Sequence, residues 1–138
     1  VEVPVLFKYV EGFNQGADPV VYTQEEAAAY FKEAGEAATR PFIYLSAGVP
    51  ADVFREELEF AGQHGANYCG ILGGRATWRN GVQVYADGGR AALIDWLDTQ
   101  GRENIEELNE ILNKYAKPWY EIYGGLDNIE VFDLDVMD

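Results

Sequence analysis

Two short turns in the chain carry residue types that can bind a phosphate group. Gly73-Gly74-Arg75 follows the apolar run Tyr68–Leu72, and Ser46-Ala47-Gly48 follows the apolar run Phe42–Leu45. Glycines leave their backbone N–H groups open to a close ligand, and arginine offers a planar, permanently charged group. A turn of this kind at the start of a helix suits an anion. A glycine pair alone is a weak signal, because most such pairs only form a turn.

The elements that position these turns alternate between strand and helix. The alternating residues of Val1–Val5 predict a first strand, and the runs Phe42–Leu45 and Tyr68–Leu72 are typical of short strands buried on both faces. Thr23–Glu26 has the pattern of a capping box, which predicts the start of a helix. A second apolar helical stripe follows Pro50 and closes at the left-handed cap Gly65. The order of these elements predicts an α/β fold with a parallel sheet and right-handed crossovers.

The two turns are expected to lie side by side in such a sheet. Both follow strand ends, and α/β folds bind their ligands at the carboxyl ends of the strands. A serine hydroxyl, exposed amides and the Arg75 guanidinium would then converge on one phosphate. The alternative is purely structural, with Ser46 capping a turn and Arg75 pairing with a surface acid. The residues alone favour neither interpretation.

The second half of the chain is predicted to be mostly helical. Val82–Tyr85 fits either a short strand or a helix interrupted by Gly88-Gly89, and Arg90–Asp98 is predicted to be a helix that Gly101 ends. Asn104 is predicted to cap a last helix with an apolar stripe. Residues 129–136 alternate enough to form an extra strand.

Composition excludes several classes of function. A chain of 138 residues is one domain or part of a larger one, and its formal charge of −14 argues against nucleic acid and anionic membranes as partners. No apolar stretch is long enough to cross a membrane, and no signal sequence is present. The single cysteine, Cys69, is expected to be a buried structural thiol, which fits a reducing cytoplasm. His64 has no partner histidine and is expected to lie at a helix end without a catalytic part.

Several blocks of sequence together resemble one enzyme family, the tagatose 1,6-bisphosphate aldolases. The resemblance runs in order from residue 1 to about Lys117. The blocks are Val1-Glu2-Val3-Pro4-Val5, Lys8-Tyr9-Val10-Glu11-Gly12-Phe13, Tyr44-Leu45-Ser46-Ala47-Gly48-Val49, Gly74-Arg75-Ala76-Thr77-Trp78 and Asn104-Ile105-Glu106-Glu107-Leu108-Asn109.

The resemblance implies a fold, a chemistry and a set of binding residues. Members are class I aldolases on a (βα)8 barrel, without metal or cofactor, in which a lysine forms a Schiff base with the ketose bisphosphate or dihydroxyacetone phosphate. The resemblance implies that residues 1–117 supply about strands six to eight with their helices. Residues 118–138 lie beyond it and, from their composition, are expected to form an acidic and aromatic extension. Positions that would bind a substrate phosphate are Ser46, Leu72, Gly74 and Arg75.

The resemblance also implies that the chain lacks catalytic residues. The Schiff-base lysine is expected directly before Val1, and the acid/base carboxylate on an earlier strand; Lys8 is expected to be a solvated side chain. The chain begins without methionine, as if within a strand, so we expect a fragment that is inactive alone. Its open strand edges predict pairing with the remainder of the barrel or self-association.

Two rival functions remain at this level. One is a non-catalytic module with a sugar-phosphate-binding or regulatory role, and the other is a structural α/β segment without a ligand. Loss of sugar-phosphate affinity on replacement of Arg75 distinguishes them.

Overall fold

The computed structural model describes residues 1–14, 16 and 18–130 and has an α/β architecture. Helix α1 spans Gln24–Ala37, strand β1 Ile43–Leu45, helix α2 Ala51–Gln63, strand β2 Gly70–Leu72, helix α3 Gly74–Trp96 and helix α4 Arg102–Tyr115. Short 3-10 turns cover Phe7–Tyr9, Trp119–Tyr123 and Leu126–Asn128. No helix in the described part of the chain has the length and apolar character needed to cross a membrane.

The two strands are parallel neighbours. Ile43 pairs with Gly70, Tyr44 with Ile71 and Leu45 with Leu72. The predicted order of strand, helix and parallel strand is therefore confirmed, with α2 as the crossover.

The first predicted strand is reduced to an isolated bridge. Glu2 forms a parallel bridge with Leu45, and the amide of Leu45 donates to the carbonyl of Val1 at 2.8 Å. Residues 1–5 thus lie along the free edge of β1, with Val3 and Val5 buried, but they do not form a regular strand. Because the bridge is parallel and lies beside β1, the segment continues the same sheet.

The start of α1 is the capping box that the sequence predicts. The amide of Glu26 donates to the Thr23 hydroxyl at 3.2 Å, and the amide of Thr23 donates to the Glu26 carboxylate at 2.9 Å. Both bonds satisfy first-turn donors that the helix itself leaves open.

Helices α1 and α2 cover the core, which is rich in aromatic side chains. Phe7 packs edge-on against Phe60 with ring centroids 5.4 Å apart, and Phe31 packs against both Phe60 and Tyr44. The fully buried aromatic and leucine side chains of this core are Phe7, Phe31, Tyr44, Phe54, Leu58, Tyr68 and Leu108. Burial of these large side chains between sheet and helices supplies the main stabilising term.

Helix α3 breaks at Gly89 and folds back on itself. Gly89 has φ 70° and ψ −165°, outside the helical region, and a side chain at Gly81 would lie 2.8 Å from the Trp96 ring. A straight helix would separate Gly81 and Trp96 by about 22 Å, so the two halves must lie against each other. Of the two predictions for Val82–Tyr85, the interrupted helix is confirmed and the strand is wrong.

Two predicted helix boundaries are also wrong. Gly101 does not end a helix: a π-helical turn over Leu97–Gly101 runs directly into α4, and Gly101 is buried in helical conformation. Asn104 is no cap, since it lies within α4 and donates its Nδ2 to the carbonyl of Thr77 at 3.0 Å. The Asn104 amide is used for a tertiary contact with Thr77, and Gly101 packs closely on Leu97 and Trp96 of the preceding helical turn.

The predicted strand over residues 129–136 falls mostly outside the described part of the chain. Ile129 and Glu130 are described, and neither belongs to a strand.

Candidate functional site

The turns after β1 and β2 lie next to each other at one edge of the sheet. Leu45 and Leu72 end the two strands in register, and the amide of Ser46 donates to the carbonyl of Leu72 at 3.2 Å. Parallel strands bring their carboxyl ends together, which is why residues separated by more than 25 positions meet here. The predicted neighbourhood of Ser46-Ala47-Gly48 and Gly73-Gly74-Arg75 is confirmed.

The turn after β1 has an unusual backbone. Ala47 has φ 49° and Gly48 has φ 79°, and the turn is closed by the Val49 amide, which donates to the Ser46 carbonyl at 2.9 Å. The left-handed region costs a residue with a Cβ roughly 1–2 kcal/mol. Ala47 therefore keeps this conformation only because its surroundings impose it, and such strain is concentrated at functional sites.

Arg75 brings the two turns into contact. Its guanidinium lies against Gly48 so closely that a Cβ at Gly48 would be 2.8 Å from Cζ and 3.0–3.1 Å from the two terminal nitrogens. Glycine suits position 48 because of its positive φ and because a side chain there would displace the Arg75 guanidinium. Among the residues that the structure describes, Arg75 forms no ion pair, so the alternative that it pairs with a surface acid gains no support there.

Gly73 and Gly74 form the entry to α3. Gly73 precedes the helix without a side-chain cap, and Gly74 is the first, exposed helical residue. The Thr77 hydroxyl donates to the carbonyls of Gly73 and Gly74 at 2.9 and 2.8 Å, which ties down the first turn. The amides at a helix start have no partner within the helix, so this turn offers donors and the positive end of the helix dipole.

The remaining predicted site residues differ in exposure. Ser46 is 6% exposed, and Leu72 is 61% exposed with its carbonyl held by the amide of Ser46. The Leu72 side chain is apolar, so only its backbone could take part in binding a phosphate, and its carbonyl already accepts from Ser46. The structure thus brings the Ser46 turn, the end of β2 at Leu72, the start of α3 at Gly74 and the Arg75 guanidinium to the same edge of the sheet.

Arg79, which sequence analysis missed, belongs to the same group. Its Nη2 donates to the Gly48 carbonyl at 2.6 Å. The available signal was the spacing of Arg75 and Arg79, because residues four apart lie on one helix face. Arg75 and Arg79 both line a cavity of about 500 Å³ between α2, α3 and α4, which Arg55, paired with Glu107, also lines.

A second feature that sequence analysis missed is a buried carboxyl on α2. Glu57 is 1% exposed; its Oε1 accepts a long 3.5 Å hydrogen bond from the amide of Phe7, and its Oε2 has no partner among the described residues. Burial raises the pKa of the Glu57 carboxyl from 4.5 to about 7. Its spacing from Phe54 and Phe60 puts it on the apolar face of α2, a sequence signal that could have identified it.

The other ionisable residues considered in the sequence have structural surroundings. Lys8 is exposed and pairs with Asp18 at 3.5 Å, in agreement with a solvated side chain. His64 lies at the end of α2, where its Nδ1 is 2.8 Å from the Phe60 carbonyl. Cys69 is half-buried rather than buried, and its thiol donates to the Phe42 carbonyl at 3.0 Å.

Comparison with known proteins gives a family match and a set of close relatives. The model of the DeoC/LacD family aldolases matches residues 1–80. Tagatose 1,6-diphosphate aldolase of Listeria monocytogenes (serotype 4a, strain HCC23) is 49% identical over 133 residues, which are 96% of this chain and 39% of that protein. The protein of the same name from Streptococcus pneumoniae (strain ATCC BAA-255 / R6) is 55% identical over 121 residues, 88% of this chain and 36% of that protein. The chain spans less than two-fifths of the length of these relatives.

Proposed function

This chain belongs to the DeoC/LacD aldolase family, and we propose that it is the carboxyl-terminal segment of a barrel aldolase that cleaves tagatose 1,6-bisphosphate. In this proposal residues 1–117 supply strands six to eight, and 118–138 form an extension. The match to the Listeria protein covers 96% of the chain, so it includes most of that extension.

The role of this chain in the reaction is to hold a phosphate of the substrate. The single observation that carries the proposal is the contact between the Arg75 guanidinium and Gly48, which unites the turns of two adjacent parallel strands. Arg75 supplies a planar charged donor, the start of α3 supplies amides, and Ser46 supplies a hydroxyl. When the phosphate of a sugar bisphosphate or of dihydroxyacetone phosphate binds there, the carbonyl carbon of the ligand is held in a fixed position relative to the barrel centre. This orientation lowers the entropic cost of the reaction.

The bond-breaking step belongs to the parent protein. A lysine amine directly before Val1 would attack the C2 carbonyl of the ketose and lose water to form an imine. As the acid/base carboxylate of the parent takes the proton of the C4 hydroxyl, the protonated imine accepts the electron pair of the C3–C4 bond and glyceraldehyde 3-phosphate leaves. The enamine that remains is protonated at C3, and hydrolysis of the imine releases dihydroxyacetone phosphate and the lysine. The fragment alone, without that lysine, is expected to be inactive.

The free edges of the sheet agree with a segment of a larger barrel. Val1 and Leu72 are 60% and 61% exposed at opposite sides of the sheet. In the intact protein, neighbouring strands would cover these edges; in isolation, a second copy of the chain would.

The test has one arm in the parent and one in this chain. The parent, incubated with dihydroxyacetone phosphate and borohydride, should gain the mass of the reduced adduct on the lysine preceding Val1. In this chain, Arg75→Gln should weaken binding of dihydroxyacetone phosphate at least about tenfold, since a charge-assisted pair is lost. Arg102→Gln, which removes the same charge from an exposed residue of α4, is the matched control.

Two results would contradict the proposal. A parent without a lysine before Val1, or without a trapped adduct, would remove the Schiff-base mechanism. Equal affinities for wild type, Arg75→Gln and Arg102→Gln would remove the phosphate subsite.

A further inference from the structure

Two arginines of α3 hold the same residue of the turn after β1. Arg79 Nη2 donates to the Gly48 carbonyl at 2.6 Å, and the Arg75 guanidinium fills the space where a side chain of Gly48 would be. Because the two arginines are one helical turn apart, they approach Gly48 from the same helix face. Arg79 therefore contacts the backbone carbonyl of Gly48, and the Arg75 guanidinium lies beside its Cα.

The turn needs an external contact to keep its shape. Both Ala47 and Gly48 have positive φ, and the one backbone hydrogen bond within the turn runs from the Val49 amide to the Ser46 carbonyl. Residues with a Cβ rarely adopt such a conformation, so a free turn would populate others. A donor with a permanent charge on the Gly48 carbonyl favours the observed conformation over those alternatives.

The segment of α3 that carries Arg79 is held in place by a hydrogen bond from α4. Asn104, 8% exposed, donates its Nδ2 to the carbonyl of Thr77, two residues before Arg79. This bond joins α3 to α4 and fixes where the helix presents its arginines. The contact with Gly48 therefore links the turn to a buried part of the helical layer.

We propose that Arg79 is a positioning residue that holds the Ser46–Val49 turn in place and thereby keeps Ser46 and Arg75 arranged for a phosphate. Arg79 acts through the Gly48 carbonyl, and the phosphate is bound by the other residues of the site. The phosphate part of this inference rests on the proposed function; the part that concerns the turn does not.

The experiment measures the turn and the ligand separately in the 138-residue chain. Amide hydrogen exchange of Val49 reports opening of the turn, and titration with inorganic phosphate followed by NMR reports affinity. The variants are Arg79→Gln, which removes the charged donor, and Arg79→Lys, which retains one. Arg102→Gln is the control for charge, and amides in the middle of α2 are the internal control for global unfolding.

Arg79→Gln should raise Val49 exchange about five- to tenfold and lower phosphate affinity by a similar factor, as expected for loss of a charge-assisted hydrogen bond. Arg79→Lys should fall between wild type and Arg79→Gln, and Arg102→Gln should match wild type in both measurements. The exchange of α2 amides should not change in any variant.

Unchanged Val49 exchange in Arg79→Gln would overturn the inference. If that variant also lost phosphate affinity, Arg79 would be a direct ligand instead. If the wild-type chain binds no phosphate, the proposed subsite fails, and the exchange of Val49 alone then decides whether Arg79 holds the turn.

Discussion

Replacement of Glu57 by glutamine should remove a pH dependence from the stability of this fold. The carboxyl of Glu57 is buried on α2 with one long hydrogen bond from the amide of Phe7 and no partner for Oε2 in the described part of the chain. Burial disfavours its charged form and raises its pKa from 4.5 to about 7. Glutamine has nearly the same shape, keeps an oxygen that can accept from Phe7, and carries no charge at any pH.

The sign and size of the effect follow from proton linkage. Between pH 4.5 and 7 the folded chain binds a proton at Glu57 that the unfolded chain has released, so folding stability falls as pH rises through this window. The loss is complete above the folded pKa. A difference of about 2.5 pKa units corresponds to about 3 kcal/mol, which is a large fraction of the stability of a small domain.

Urea unfolding followed by tryptophan fluorescence at pH 5 and pH 8 measures the effect. The free energy of unfolding of Glu57→Gln minus that of wild type should be about 2.5 kcal/mol larger at pH 8 than at pH 5. Groups other than Glu57 titrate in both proteins and cancel in this difference. Glu33→Gln, on the exposed face of α1, is the matched control and should show no pH-dependent difference.

A difference between Glu57→Gln and wild type that is independent of pH would refute the reasoning. It would mean that the carboxyl has the same pKa in the folded and unfolded chains. A difference that changes in the opposite direction, with Glu57→Gln losing stability relative to wild type from pH 5 to pH 8, would also refute it, since the folded pKa of the carboxyl would then lie below 4.5.

Two further predictions concern the packing of the core. Tyr68→Phe should lower the free energy of unfolding by about 1 kcal/mol, because the buried Tyr68 hydroxyl donates to the Leu58 carbonyl at 3.1 Å. Tyr44→Phe should be neutral or stabilising, because the buried Tyr44 hydroxyl has no partner among the described residues. Equal losses in urea unfolding would contradict this assignment. Gly62→Ala should destabilise the chain by about 2 kcal/mol, despite the better helix propensity of alanine, because the new Cβ would overlap Tyr115 and separate α2 from α4. A thermal midpoint at or above that of wild type would show that these helices do not pack so closely.

Local patterns in the sequence predicted those features that depend on neighbouring residues. Thr23 and Glu26 form their reciprocal bonds within one helical turn, and Gly65 has the left-handed φ of 81° expected of a helix cap. The parallel arrangement of β1 and β2 was also predictable, since two short apolar strands joined by one helix have few other ways to pair. At Asn104 the sequence prediction was wrong because its amide bonds to the distant Thr77 carbonyl, and at Gly101 because the chain continues from a π-helical turn into α4 with the glycine packed on Leu97 and Trp96.

The sequence by itself determined that Ser46 and Arg75 follow two strands of one parallel sheet, and from this their approach at one edge could be predicted. Only the tertiary structure decided how they meet, with Arg75 against Gly48 and Arg79 on the Gly48 carbonyl. It also decided that Glu57 lies in the core with no partner for Oε2 among the described residues. The physical reason is how far apart in the chain the interacting residues lie. Strand order and caps follow from interactions between near neighbours, whereas the strained turn at Ala47 and the desolvation of Glu57 arise from contacts between segments that are distant in the chain.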